Sequence, residues 1–94
     1  MTAKMIAQIH VRNYEAFKSA FDGLLPVRKD YGATSHRLHR SVDDPNKIVV
    51  VSEWATADQA RAFAQSTSLK EAQERGGIDS FDSLVCEEVE AVTY

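Results

Sequence analysis

The sequence predicts an α+β chain of element order βαββαβ, with four antiparallel strands in one sheet and the helices on one face. Three observations carry that expectation. Apolar and polar residues alternate near the start, apolar residues recur at helical spacing in two separate stretches, and a turn signature joins two strand-like runs between them. All 94 residues are expected to form a single domain, since a chain of this length builds one core and does not divide.

The first strand is expected from about Lys4 to Val11, where Met5, Ala7, Ile9 and Val11 alternate with Lys4, Gln8 and His10. Asn13 then stands where an N-cap belongs, its side-chain oxygen placed to accept from a free backbone N–H. Tyr14, Phe17, Phe21 and Leu24 follow at helical spacing as one apolar stripe. Gly23 and Pro26 weaken that helix, and Pro26 predicts a kink or a fresh helical turn through Asp30. Gly32 is a plausible left-handed stop.

A second strand is expected from about Ala33 to Val42. Asp44-Pro45-Asn46-Lys47 has the chemistry of a tight turn: proline pre-sets the second position, asparagine tolerates the third, and the aspartate bonds back to the chain. The third strand, Lys47 to Trp54, is built on Ile48-Val49-Val50-Val51 and completes a hairpin. Thr56 with Gln59 and Ser68 with Glu71 match the capping box and open two helices, one carrying Ala60, Phe63 and Ala64, the other Leu69 and Ala72. Gly76-Gly77 closes the second. A last strand is expected from about Ser83 to Val92, with Val85, Val89 and Ala91 on one side and Glu87, Glu88 and Glu90 as a charged strand face. This is the ferredoxin-like, split βαβ order. Its first and third strands are central, and right-handed crossovers place both helical segments on the same face.

The third strand also predicts a partner. Ile48 and Val50 point one way and Val49 and Val51 the other, whereas a sheet with one wet face alternates apolar with polar. Each large aliphatic left in water forgoes about 1.5–3 kcal/mol of burial. A second copy of the chain around a two-fold axis is the simplest cover, so a homodimer is expected; the alternative is a strand hidden by the chain's own loops or terminus.

Composition excludes several classes. With 44% hydrophobic and 27% charged residues the chain has the apolar surface to fold. A net charge of −3 and scattered basic residues, concentrated only at Arg37–Arg40, argue against a nucleic-acid partner. Cys86 is alone, which excludes an internal disulfide framework and suits a reducing compartment. No apolar run is long enough for a signal peptide or a membrane span, so no membrane partner and a cytoplasmic location are expected.

The candidate chemistry centres on histidines, which titrate near neutrality without help. His36 and His39 lie three apart on a strand and face opposite sides, so they do not share a metal, and no metal site is expected. His10 ends the first strand near Tyr14, and because central strands are neighbours it is expected to approach Ser52 or Trp54. A histidine, a phenol and an indole around an apolar cavity suit an aromatic or enolic substrate: His10 removes a proton while Trp54 supplies a stacking wall. The cavity is expected between helices and sheet, lined further by Phe17, Val50, Ser52 and Phe63, with His36 and its neighbour Arg37 available for an anionic group. The plainer alternative makes His10 an exposed strand end, Tyr14 and Trp54 core residues, and His36 part of a solvated strand. Cys86 has no activating neighbour, and no glycine-rich phosphate loop precedes a helix.

The stretch Gly32-Ala33-Thr34-Ser35-His36-Arg37-Leu38-His39-Arg40-Ser41, continuing through Asp43-Asp44-Pro45-Asn46-Lys47 to Glu53-Trp54, resembles the dimeric α/β-barrel superfamily, and within it the antibiotic biosynthesis monooxygenase-like branch. Ala62-Phe63-Ala64-Gln65-Ser66 and Leu69-Lys70-Glu71-Ala72 extend the likeness over most of the chain. The resemblance implies a homodimer and a small-molecule enzyme without cofactor, acting on an aromatic or polyketide-like compound by oxidation, cyclisation or isomerisation. The alternative is a non-catalytic dimeric module that binds a small ligand or serves in stress. Oxygenase members often carry an asparagine four residues before the third-strand tryptophan; here that place is Val50. Haem-degrading members have a tryptophan and a histidine ligand where this chain has Phe63 and Gln73, and glutamine does not serve as the usual axial imidazole, so no haem is expected.

Overall fold

In a computed structural model, which describes residues 2–94, the chain runs β1 (Ala3–Val11), α1 (Tyr14–Gly23), α2 (Leu25–Tyr31), β2 (Ala33–Arg40), β3 (Lys47–Trp54), α3 (Ala57–Ala64), α4 (Thr67–Arg75) and β4 (Ile78–Cys86). The strands form one antiparallel sheet in the order β2-β3-β1-β4. This is the ferredoxin-like α+β fold that the sequence predicts, with β1 and β3 central.

Local chemistry accounts for the boundaries. Asn13 Oδ1 accepts from the Ala16 N–H at 3.0 Å and starts α1. Pro26 sits in the first turn of α2, where its missing N–H has no helical partner to lose, so α1 stops and a new helix begins. Gly32 ends α2 at φ 109°, a left-handed backbone that favours glycine; a Cβ there would also press on the end of the Gln59 side chain, which can swing aside. In the β2–β3 hairpin the Lys47 N–H donates to the Asp44 carbonyl at 3.0 Å, and Asp44 Oδ1 accepts from the Asn46 N–H at 3.0 Å. Thr56 Oγ1 accepts from the Gln59 N–H and caps α3.

Three boundaries differ from expectation, each for a local reason. The cap of α4 is Ser66, whose Oγ accepts from the Leu69 N–H at 3.2 Å, so Ser68 lies inside the first turn. β2 stops at Arg40 because Ser41 Oγ accepts from the N–H groups of Asp43 and Asp44 and turns the chain; Val42 is left 99% exposed. β4 spans Ile78–Cys86 instead of Ser83–Val92. A register shift opposite His10 and Val11 puts Ile78 and Phe81 on one face three residues apart, so the strand's start lacks the period of two. Val89, Ala91 and the three glutamates from Glu87 to Glu90 therefore lie beyond the sheet.

The two sheet faces are unlike. Met5, Ala7, Ile9 and Val11 of β1, with Ile48, Val50, Ser52 and Trp54 of β3, are buried beneath the helices. The other face carries a row of cross-strand partners, Val51–Ile6–Leu84, with Leu84 64% exposed. No helix among the described residues is long and apolar enough to cross a membrane.

Candidate functional site

Antiparallel pairing brings Met5 opposite Ser52 and Ala7 opposite Val50, and these four side chains form a floor on the helix-covered face. Phe17 and Phe21 of α1 with Arg28 of α2 make one wall, Phe63 of α3 and Leu69 of α4 another, and Gln73 of α4 with Phe81 of β4 the far side. They line a partly open apolar cavity of about 60 Å³. That is several times the space that one water needs. Gln73, Ile78 and Phe81 also line an outer depression of about 480 Å³, flanked by Arg12, Lys70, Glu74 and Asp79, so the cavity approaches the surface between α4 and β4.

Two polar features interrupt the apolar lining. Trp54 Nε1 donates to Ser52 Oγ at 2.8 Å, and Ser52 in turn donates to the Met5 carbonyl at 3.4 Å. Trp54 itself is fully buried and stands behind Phe63, ring centroids 5.1 Å apart, bracing the wall without lining it. The second feature is Arg28, only 4% exposed. Its Nη1 donates to the Phe21 carbonyl at 2.8 Å, and its guanidinium lies 4.0 Å above the Phe21 ring. Nε and Nη2 are buried and have no protein partner. Burial pulls its pKa down and the Asp22 charge opposes that, but an arginine remains cationic across the working range.

His36 lies just beyond Phe21. It pairs with Ser52 on the helix-facing side of the edge strand β2, and its ring meets the edge of Phe21 with centroids 5.1 Å apart and planes at 89°. The residue is otherwise exposed. Partial desolvation holds its pKa below the usual histidine value, helped by the Arg28 and Lys18 charges and opposed by Asp22, so the imidazole is neutral at pH 7.

Of the residues singled out from the sequence, Phe17, Val50, Ser52 and Phe63 do meet in this cavity, while Trp54 stands behind Phe63 and His36 packs against Phe21, both outside the lining. His10 and Tyr14 do not join them. The register pairs His10 with Lys47, five residues from Ser52 along β3, or roughly 17 Å at the strand rise. His10 also points to the helix-free face, its ring nitrogens 3.6 Å from carboxylate oxygens of Asp44 and Asp79. Central strands are neighbours, as expected, but antiparallel pairing sends the end of β1 to the start of β3. Tyr14 packs on Phe17 at 6.2 Å beneath the Arg40 guanidinium and does not reach the cavity. Sequence reasoning missed Arg28, Gln73 and Phe81. The signal for Arg28 was present: it continues the stripe of Phe21 and Leu24 at i+7 and i+4, a cation on an apolar face.

A sequence model described as antibiotic biosynthesis monooxygenase matches residues 5–75. Among solved structures, the chain is similar to SnoaB from Streptomyces nogalater, described as a cofactor-independent oxygenase, at 20% identity over 99% of this chain and 98% of that one, with a TM-score of 0.79. It is similar to Rv0793 from Mycobacterium tuberculosis at 14% identity over 99% and 100% of the two chains, with a TM-score of 0.73. At these identities the structural likeness establishes the fold. No curated protein matches the chain in sequence.

Proposed function

The chain belongs to the antibiotic biosynthesis monooxygenase family, and from that premise we propose that it is a cofactor-free oxygenase of small aromatic or enolic compounds. The observation that carries this reading is the apolar cavity between the central strands and the helices, walled by phenylalanines and touched by few polar groups. Such a space takes an aromatic ring and molecular oxygen, both apolar, while excluding water. The described relative SnoaB supports the class of reaction.

In this mechanism the substrate's acidic C–H gives its proton to His36, whose exposed ring meets the edge of Phe21 in the cavity wall. The carbanion's electron pair reduces oxygen and a C–O bond forms, giving a peroxide. Loss of water leaves a carbonyl, so a CH2 group and O2 become C=O and H2O. Ser52, which accepts from Trp54 and donates to the Met5 carbonyl, keeps one lone pair on the floor with which to accept from a substrate hydroxyl.

Oxygen uptake on a panel of one- and two-ring phenols tests this. Uptake is expected to rise with pH and level off from a midpoint below 6.5, because the base works only when neutral and its pKa is lowered. His36→Gln is expected to reduce kcat roughly 100-fold and remove that limb. The rival reading, a binding module, keeps the cavity and predicts a bound compound recovered unchanged, with no uptake by wild-type protein.

The working unit in this proposal is a homodimer, supported by the Val51–Ile6–Leu84 row on the helix-free face. Leu84→Asp combined with Ile6→Asp is expected to weaken self-association at least 100-fold, read by sedimentation velocity, since both charges would be buried without partners. A wild-type chain that sediments as a monomer at micromolar concentration contradicts the dimer.

A further inference from the structure

We propose that the cavity selects aromatic acids, the ring filling the apolar space and a carboxylate held side-on by Nε and Nη2 of Arg28. This assignment deepens the function proposed above and rests on the same cavity being the substrate site.

A guanidinium has five N–H donors, and Arg28 commits only Nη1, to the Phe21 carbonyl at the end of α1. The two nitrogens left over, Nε and Nη2, are the pair whose N–H bonds run parallel along one edge of the planar group. They match the two oxygens of a carboxylate. Both are buried and without a protein partner, whereas buried polar groups in native proteins are almost always paired. Asp22, the acidic residue nearest in influence, is exposed and held by Lys18 at 2.7 Å, so it does not supply the missing acceptor.

The charge count selects a monoanion. Arg28 is the one charged residue among the described residues that line the cavity. A single carboxylate neutralises it, while a phosphate dianion would bury a second negative charge with no cation to meet it. A neutral carbonyl or amide accepts hydrogen bonds but leaves the buried cation uncompensated. The ring half of the ligand follows from the Phe17, Phe63 and Phe81 walls and from Phe21, whose ring centroid lies 4.0 Å from the guanidinium carbon.

The test compares 4-hydroxybenzoate with 4-hydroxybenzamide by isothermal titration calorimetry, with no turnover required. Wild-type protein is expected to bind the acid at least roughly 30-fold more tightly than the amide, the range for two charge-assisted hydrogen bonds. Arg28→Gln is expected to bring the acid down to the amide's affinity, and Arg28→Lys to recover part of the difference. In wild-type protein labelled with 15N-arginine, the Arg28 Nε–H resonance is expected to shift with the acid and not with the amide, a readout that stands even if a variant fails to fold. Equal affinity for acid and amide, an unmoved Nε–H signal, or binding of neither probe overturns the proposal. Acid selectivity without oxygen uptake would remove the oxygenase reading and leave this one; uptake on neutral phenols with no dependence on Arg28 would do the reverse.

Discussion

Val50→Phe is expected to abolish turnover, by at least roughly 100-fold, while the chain stays folded. Val50 is 7% exposed, faces the helices from β3 and forms part of the cavity floor opposite Ala7. A benzyl group projecting from that position occupies the space the substrate's ring would take. Overpacking of this kind costs typically about 1–3 kcal/mol, and the existing cavity absorbs part of it. The expected pattern is a modestly lowered urea midpoint, an intact near-ultraviolet circular dichroism spectrum and no ligand-dependent oxygen uptake. Wild-type uptake in this variant would move the chemistry out of the helix-covered cavity, since nothing the size of a ring could share the space.

Trp54→Ala is expected to be the most destabilising single change, at about 3–5 kcal/mol. Trp54 is fully buried, packs on Phe63 and donates its indole N–H to Ser52 Oγ. The substitution removes the largest buried side chain of the core and leaves Ser52, itself 3% exposed, without its donor. A chain of 94 residues has a total stability of about 5–14 kcal/mol, so the loss is a large share of the whole. Trp54→Phe keeps most of the packing and forfeits mainly the hydrogen bond, about 1 kcal/mol. Urea unfolding of the pair separates the two contributions. Equal midpoints for Trp54→Ala and Trp54→Phe would mean that the hydrogen bond, and not the packed indole, holds that end of the core.

The architecture was legible because its signals are local. Alternation in β1, the Asp44–Lys47 turn and the Asn13 and Thr56 caps each depend on a few adjacent residues, and each appears where the sequence puts it. The start of β4 was hidden by the register shift beside His10, which breaks the period-two pattern that identifies a strand. Part of the cavity was legible for the same reason: Phe17, Val50, Ser52 and Phe63 lie on the buried faces of elements whose periodicity is plain. The placement of His10 was not, because which end of β3 it meets is decided by antiparallel register and not by adjacency of strands. Arg28 escaped notice because a cation in a helix is by default read as solvated, although its position continues the stripe of Phe17, Phe21 and Leu24. A charge on an apolar face is the observation a sequence offers for a buried ligand group, and here it coincides with two buried, unpaired donors on a residue that lines the cavity.

The measurement that bears most directly on the central claim is the fate of isotopic oxygen in a single turnover. Protein freed of metals and of any co-purified compound is mixed with a substrate under 18O2, and the product is weighed by mass spectrometry. Oxidation in the cavity without a cofactor predicts one labelled atom in the product carbonyl, the other in water, and loss of both in Val50→Phe. An unlabelled product, or a substrate bound and released unchanged, would contradict it.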